Sequence, residues 1–212
     1  MSGVQTSLFD SDTTQTLVPE RLITRDGDVR LFRQWFPPDQ AREWFDRLDR
    51  EISWRQSSIR MHGKTMPVPR LDAWYGDPGR VYTYSGVCFE PLAWTPGLRS
   101  LRFELEAQLG YAFNSVLANL YRDGKDSVAW HSDDEPELGA EPIIASISLG
   151  AERRFALRHK NRHQPPLRLD LPPGSLLLMS GATQRYWVHQ LAKTARPVGP
   201  RINLTFRWVM PL

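Results

Sequence analysis

The chain has 212 residues, 41% hydrophobic and 24% charged, with 8 tryptophans and a formal net charge of +3, the composition of a soluble globular protein and a length that allows one domain with a sizeable core or two very small ones. No run of about 18 apolar residues occurs, which argues against a membrane span, and Met1–Pro19 lacks the basic-then-apolar order of a signal peptide. The charge is uneven: the first 20 residues hold Asp10, Asp12 and Glu20 but no Lys or Arg, so the rest carry 27 basic against 21 acidic groups, net +6, which suits a polyanionic partner such as nucleic acid and equally a solvated basic surface.

Residues 1–18 read as a flexible N-terminal tail, the first 16 being polar and without periodicity, and 19–212 as one domain. Pro37-Pro38-Asp39 opens a helix that carries Ala41, Trp44, Phe45, Leu48 and Ile52 on one face. The only cysteine, Cys88, can form no internal disulfide and fits a reducing, cytoplasmic setting. A second helix is expected from about Leu98 to Leu109, striped by Leu98, Leu101, Leu105 and Leu109 and stopped by Gly110. After Gly110 the pattern changes to short runs at 113–122, 128–131, 143–149, 153–159, 167–171, 175–179, 186–191 and 201–209. Asp123-Gly124, Gly150, Pro165-Pro166, Pro172-Pro173-Gly174 and Gly181 punctuate them. The expected class is α+β, with N-terminal helices packed on one sheet of a double-stranded β-helix, a jelly roll.

Within these runs, Trp130-His131-Ser132-Asp133 sets an imidazole and a carboxylate two residues apart, hence on one face of an extended segment. His189, after Tyr186-Trp187-Val188, is a candidate third ligand, and two histidines with one carboxylate leave open positions for oxygen chemistry at iron(II). Taken alone the pair is weak, because 5 histidines and 24 acidic residues in 212 produce a His-x-Asp/Glu by chance about once in two such chains. His159 and His163 stand in the basic segment Arg158–His163 and read as loop residues rather than ligands.

The strand-like run Arg201-Ile202-Asn203-Leu204-Thr205-Phe206-Arg207 strengthens the case. Its alternation sends Arg201, Asn203, Thr205 and Arg207 to one side and three apolar residues to the other. Two guanidiniums directed into one cavity are costly without an anion, and Arg grips carboxylates bidentately. The alternative is an edge strand whose polar face lies in water. Asn119-Leu120-Tyr121 repeats the alternation just upstream of the His-x-Asp pair.

In order and spacing, His131-x-Asp133, His189 and Arg201-x-Asn203-x-Thr205-x-Arg207 resemble the AlkB family of nucleic-acid dealkylating dioxygenases. The segments Asn114–Arg122, Asp126–Glu135, Pro142–Ala151, Pro69–Leu71, Ala73–Gly76 and Tyr82–Ser85 are similar to the animal AlkB homologues that repair DNA, so the resemblance covers roughly residues 30–210. It implies iron(II) held by His131, Asp133 and His189, with 2-oxoglutarate and dioxygen as co-substrates. Arg201 and Tyr121 would hold the distal carboxylate, and Asn119, Asn203, Thr205 and Arg207 would complete the pocket. The implied activity is oxidative demethylation of 1-methyladenine and 3-methylcytosine in single- or double-stranded DNA, releasing formaldehyde and succinate. The alternative substrate is RNA or free alkylated nucleobases.

On the substrate side, these lesions are cationic, and Asp134 and Glu135 would set negative charge beside the ring; the alternative is a solvated acidic turn. By resemblance Tyr82 and Tyr84 line the base pocket and Arg70 lies near the flipped nucleotide. One departure concerns Met61-His62-Gly63-Lys64, which stands where a duplex-preferring relative carries an aromatic-Gly-Lys finger. His62 is smaller than Phe, so single strands are expected to be handled at least as well as duplex. In the tail, Gln5-Thr6-Ser7-Leu8-Phe9 resembles the short peptides that dock bacterial sliding clamps. The chain is expected to be a monomer without membrane association, in the cytoplasm and nucleoid-associated in a bacterium.

Overall fold

A computed structural model of the chain describes residues 18–61, 64–80, 82–84 and 87–210. The clamp-like segment Gln5–Phe9, most of the tail and His62 lie outside the described residues.

In chain order the elements are β1 (Glu20–Ile23), β2 (Asp28–Phe32), α1 (Pro38–Glu51), β3 (Ser58–Met61), β4 (Lys64–Pro67), β5 (Leu71–Gly76), β6 (Tyr82–Tyr84) and β7 (Val87–Phe89). There follow α2 (Pro96–Leu109), β8 (Ser115–Tyr121), β9 (Val128–His131), β10 (Ile144–Gly150), β11 (Arg153–His159), β12 (Leu167–Leu171), β13 (Ser175–Ser180), α3 (Thr183–Tyr186), β14 (Trp187–Leu191) and β15 (Arg201–Arg207). No helix among the described residues is long and apolar enough to cross a membrane.

Both long helices follow from local chemistry. Proline opens each, where a missing N–H is harmless. Thr95 caps α2 by accepting from the Leu98 N–H, so this helix begins two residues before the leucine stripe does. Gly110 ends it in the left-handed region at φ 72°, which suits a residue without Cβ. The Glu51 carboxylate accepts from the Gly97 N–H and ties the end of α1 to the start of α2.

Two antiparallel sheets make the jelly roll. The larger runs β1-β2-β13-β10-β15-β8-β5 and the smaller β12-β11-β14-β9. Both faces of the larger sheet are covered. One packs its apolar residues, Ile202, Leu204 and Phe206 of β15 among them, against Ala41 and Leu48 of α1 and Leu98, Leu101 and Leu105 of α2. The opposite face meets Phe155, Leu157, Leu169, Leu171, Trp187 and Leu191 of the smaller sheet. β15 is therefore an inner strand, buried along its whole length and flanked by β10 and β8. Its polar side chains lie between protein layers and not in water, which rules out the edge-strand reading.

One sequence expectation needs correction. His159 is not a loop residue: it ends β11, is fully buried and pairs in register with Trp187. The basic residues around it suggested a loop, but inward and outward positions alternate along a strand, and 159 falls on the inward side.

Candidate active site

Strand ends bring the three ligand candidates together. His131 is the last residue of β9 and pairs directly with His189 on β14, while Asp133 lies just past the strand. One ligating atom from each falls within 4.8 Å of the others, and the two imidazole centroids are 4.2 Å apart. Tautomer and charge are set locally. His131 Nδ1 lies 2.8 Å from the Ala129 carbonyl, which can only accept, so Nδ1 carries a proton and Nε2 faces Asp133 Oδ1 at 3.6 Å.

Asp133 divides its oxygens. Oδ2 accepts from Arg207 Nε at 3.1 Å and Nη2 at 2.7 Å, leaving Oδ1 for the histidines, while the Asp133 N–H donates to Gln184. Burial pushes this carboxyl up, but Arg207, His189 and His131 together outweigh burial and hold it below the usual carboxylate range. His189 is lowered to about 3, chiefly by burial and then by His131. It is a neutral imidazole stacked on Phe155. Two imidazoles and one carboxylate oxygen fit a divalent first-row ion such as iron(II).

The depressed His189 value predicts acid sensitivity of the metal-free protein. The unfolded chain takes up this proton near 6.5 and the fold only near 3. Stability present above pH 6.5 therefore declines as pH falls toward 3, by at most about 1.4 kcal/mol per pH unit. Thermal melts at pH 7, 5.5 and 4 should show a steeper loss in wild type than in His189→Gln, and equal slopes would refute this cause.

Two cavities meet at the triad. One encloses about 450 Å³ between the sheets, lined by Asn119, Tyr121, Ser146, Asn203, Thr205 and the triad, among others. The other, a cleft of about 830 Å³, is lined by Arg55, Ser57, Asp72, Trp74, His131 and Asp133, among others. Arg70, Leu117, His131, Asp133 and Arg207 belong to both walls.

The polar stripe of the inner cavity follows from register. Asn203 of β15 sits between Ser148 and Asn119, Thr205 lies opposite Ser146, and Arg201 pairs with Tyr121. Asn203 donates to Ser146 Oγ and the Ile147 carbonyl and accepts from Thr205, so this amide is held rigidly. Arg201 adjoins the lining, its guanidinium 5.4 Å from the ring centre of Tyr121. It is fully buried, donates to Ser148 Oγ, and leaves Nε without a partner. Burial lowers its pKa to about 10. A buried guanidinium with an idle donor beside a polar cavity fits the carboxylate of a dicarboxylate such as 2-oxoglutarate.

Substrate-side candidates are placed less uniformly. Arg70 is nearly buried and its Nε donates to Asn119 Oδ1 at 2.7 Å, joining the two cavities. Tyr82 and Tyr84 are the first and last residues of β6. Asp134 is not brought to either cavity: past the strand end its side chain is 58% exposed and pairs with Lys160 at 3.1 Å. Glu135 is half-buried at the start of a short 3-10 turn.

Several contributors were not anticipated. Ser146 and Ser148 alternate in β10 and would have been found by the same period-2 reading that found β15. Arg153 binds the Asp123, Asp126 and Ala192 carbonyls and fixes the turn leading to His131. Asp72 and Gln184 act across distant elements, and no local pattern marks them.

The family model of the 2OG-Fe(II) oxygenase superfamily matches residues 28–207. The chain is 45% identical over 184 residues to the alpha-ketoglutarate-dependent dioxygenase alkB homolog 3 of Bos taurus, covering 81% of this chain and 63% of that protein. It is 39% identical over 200 residues to the DNA oxidative demethylase ALKBH2 of Homo sapiens, covering 90% and 77%. The chain thus spans a little under two thirds of the length of the alkB homolog 3 relatives it matches. The solved structure of OsALKBH1 matches with a TM-score of 0.61 at 19% identity, over 84% of this chain and 97% of that one, a likeness of fold.

Proposed function

The chain belongs to the 2OG-Fe(II) oxygenase superfamily, among the AlkB homologues, and from that premise we propose that it is an oxidative demethylase of alkylated DNA bases, 1-methyladenine and 3-methylcytosine foremost. The observation that carries this reading is the wall shared by two cavities. Residues that line the polar inner cavity and the open cleft include both His131 and Asp133, so a co-substrate on one side and a base on the other can meet at one ion.

Iron(II) with 2-oxoglutarate and dioxygen supplies hydroxylation of the N-methyl group, which leaves as formaldehyde while 2-oxoglutarate leaves as succinate and carbon dioxide. His131, Asp133 and His189 hold the ion. Arg207 keeps Asp133 ionised and turned so that one oxygen faces the histidines. Arg201 and Tyr121 take the distal carboxylate of the co-substrate, and Asn119 and Asn203 shape its pocket. Arg70, in both walls, sets the spacing between co-substrate and base. Asp72 is the carboxylate lining the cleft that is not committed to the ion, and it would face a cationic methylated ring. Asp134 can join it only by leaving Lys160. Tyr82 and Tyr84 are assigned to base stacking, and the location proposed is the cytoplasm, at the nucleoid in a bacterium.

The test is formaldehyde release from oligonucleotides carrying either lesion. Release is expected to require iron and 2-oxoglutarate, to be at least as fast on single strands as on duplex, and to fall to background in His131→Ala. No release by iron-loaded protein would overturn the assignment, and faster release from matched RNA would move it to RNA.

A further inference from the structure

A second cluster of ligating side chains lies outside this site. His159 is fully buried and its Nε2 has no hydrogen-bond partner. That atom stands 3.4 Å from Asp26 Oδ2, and the same oxygen lies 3.3 Å from His163 Nε2. The imidazole centroids of His159 and His163 are 3.8 Å apart. Asp26 comes from the turn between β1 and β2, in the left-handed region at φ 57°, and His163 from the connection between β11 and β12. Tyr186 stacks on His159 and Trp187 meets it edge-on, so its ring orientation is fixed.

We propose that Asp26, His159 and His163 form a second divalent-cation site, suited to zinc, which fastens the β1–β2 turn to the β11–β12 connection. Ligands at about 2.1 Å from a tetrahedral ion lie about 3.4 Å from one another. The separations of 3.4 and 3.3 Å at Asp26 match that spacing, and all three ligating atoms fall within 4.8 Å. Two imidazoles and one carboxylate, with a fourth position left to water, favour zinc over the all-oxygen shells of calcium or magnesium. His159 Nε2 and the Asp26 carboxylate face each other without a hydrogen bond, and a cation between them would bind both.

Loading Nε2 moves the imidazole proton to Nδ1 and breaks the 3.2 Å bond from the Asn161 N–H. Asn161 is exposed, so water takes over that N–H. His159 pairs with Trp187 across β11 and β14, and Leu157 of the same strand pairs with His189. The cation therefore braces the strand pair that carries a catalytic ligand.

Metal-stripped full-length protein, equilibrated with zinc and freed of excess by gel filtration, tests this through zinc retained per chain. His163→Ala and Asp26→Asn should each retain one equivalent fewer than wild type, whatever the catalytic triad retains. Both should fold, since the His163 side chain is 41% exposed and Asn tolerates a left-handed backbone. His131→Ala should keep the equivalent that the His163 and Asp26 variants lose. Wild-type zinc content in either the His163 or the Asp26 variant would overturn the proposal.

Discussion

Replacing Arg201 by methionine is expected to lower kcat/KM for 2-oxoglutarate about 100-fold or more while leaving Tm unchanged or raised. The two halves of this result have one cause. Arg201 is fully buried, with the hydroxyls of Ser148 and Tyr121 rather than a carboxylate as side-chain partners, an idle Nε, and a pKa lowered by burial. Its charge is thus poorly compensated in the fold, and an apolar isostere removes that penalty. With a carboxylate in place the same guanidinium forms a buried, charge-assisted pair, and truncating one partner of such a pair costs about 2–5 kcal/mol. Steady-state kinetics with 2-oxoglutarate varied, alongside a thermal melt, separates the effects. Iron content should not change. Saturation at wild-type concentrations would remove Arg201 from the co-substrate site, and a large fall in Tm would show the guanidinium to be structural.

Asp133→Ala should cost about 3–5 kcal/mol of stability, roughly 10 °C in Tm, as well as all iron binding. His131→Ala should lose the iron equally but melt within a few degrees of wild type. Both are ligands, yet their surroundings differ. Asp133 is buried and accepts two bonds from Arg207, so its removal strips a buried guanidinium of its carboxylate. His131 is only partly buried and its hydrogen bond goes to the nearby Ala129 carbonyl. Adding Arg207→Ala to Asp133→Ala should restore part of the lost stability, because the buried guanidinium that lost its carboxylate goes with it. Iron content and melting curves of the three proteins decide this. Equal Tm values for the two single variants would show that the Asp133–Arg207 pair contributes no net stability.

Much of the larger architecture was legible along the chain because period is a local property. The run 128–131 reappears as β9, 153–159 as β11 and 167–171 as β12, and the leucine stripe of α2 is its buried face. The early hairpins were not legible. β1 and β2 are only 4 and 5 residues long, and they become strands because β2 pairs with β13, some 150 residues away. Strands this short depend on the partner presented to them more than on their own pattern.

The sequence by itself determined the kind of site: a His-x-Asp pair, a distant histidine and an alternating strand with two arginines, in an order that resembles one family. The tertiary structure decided what each group does. It put β15 inside the sheet, which turned an amphipathic strand into a buried polar wall. It gave one arginine, Arg207, to the ligand Asp133 and left the other, Arg201, with an idle donor beside the cavity. It carried Asp134 outward to Lys160, brought Asp72 into the cleft, and buried His159 against Asp26. The physical reason is that residue type and spacing set which face a side chain occupies, whereas its charge partners and its access to water depend on segments that meet only after the sheets have closed.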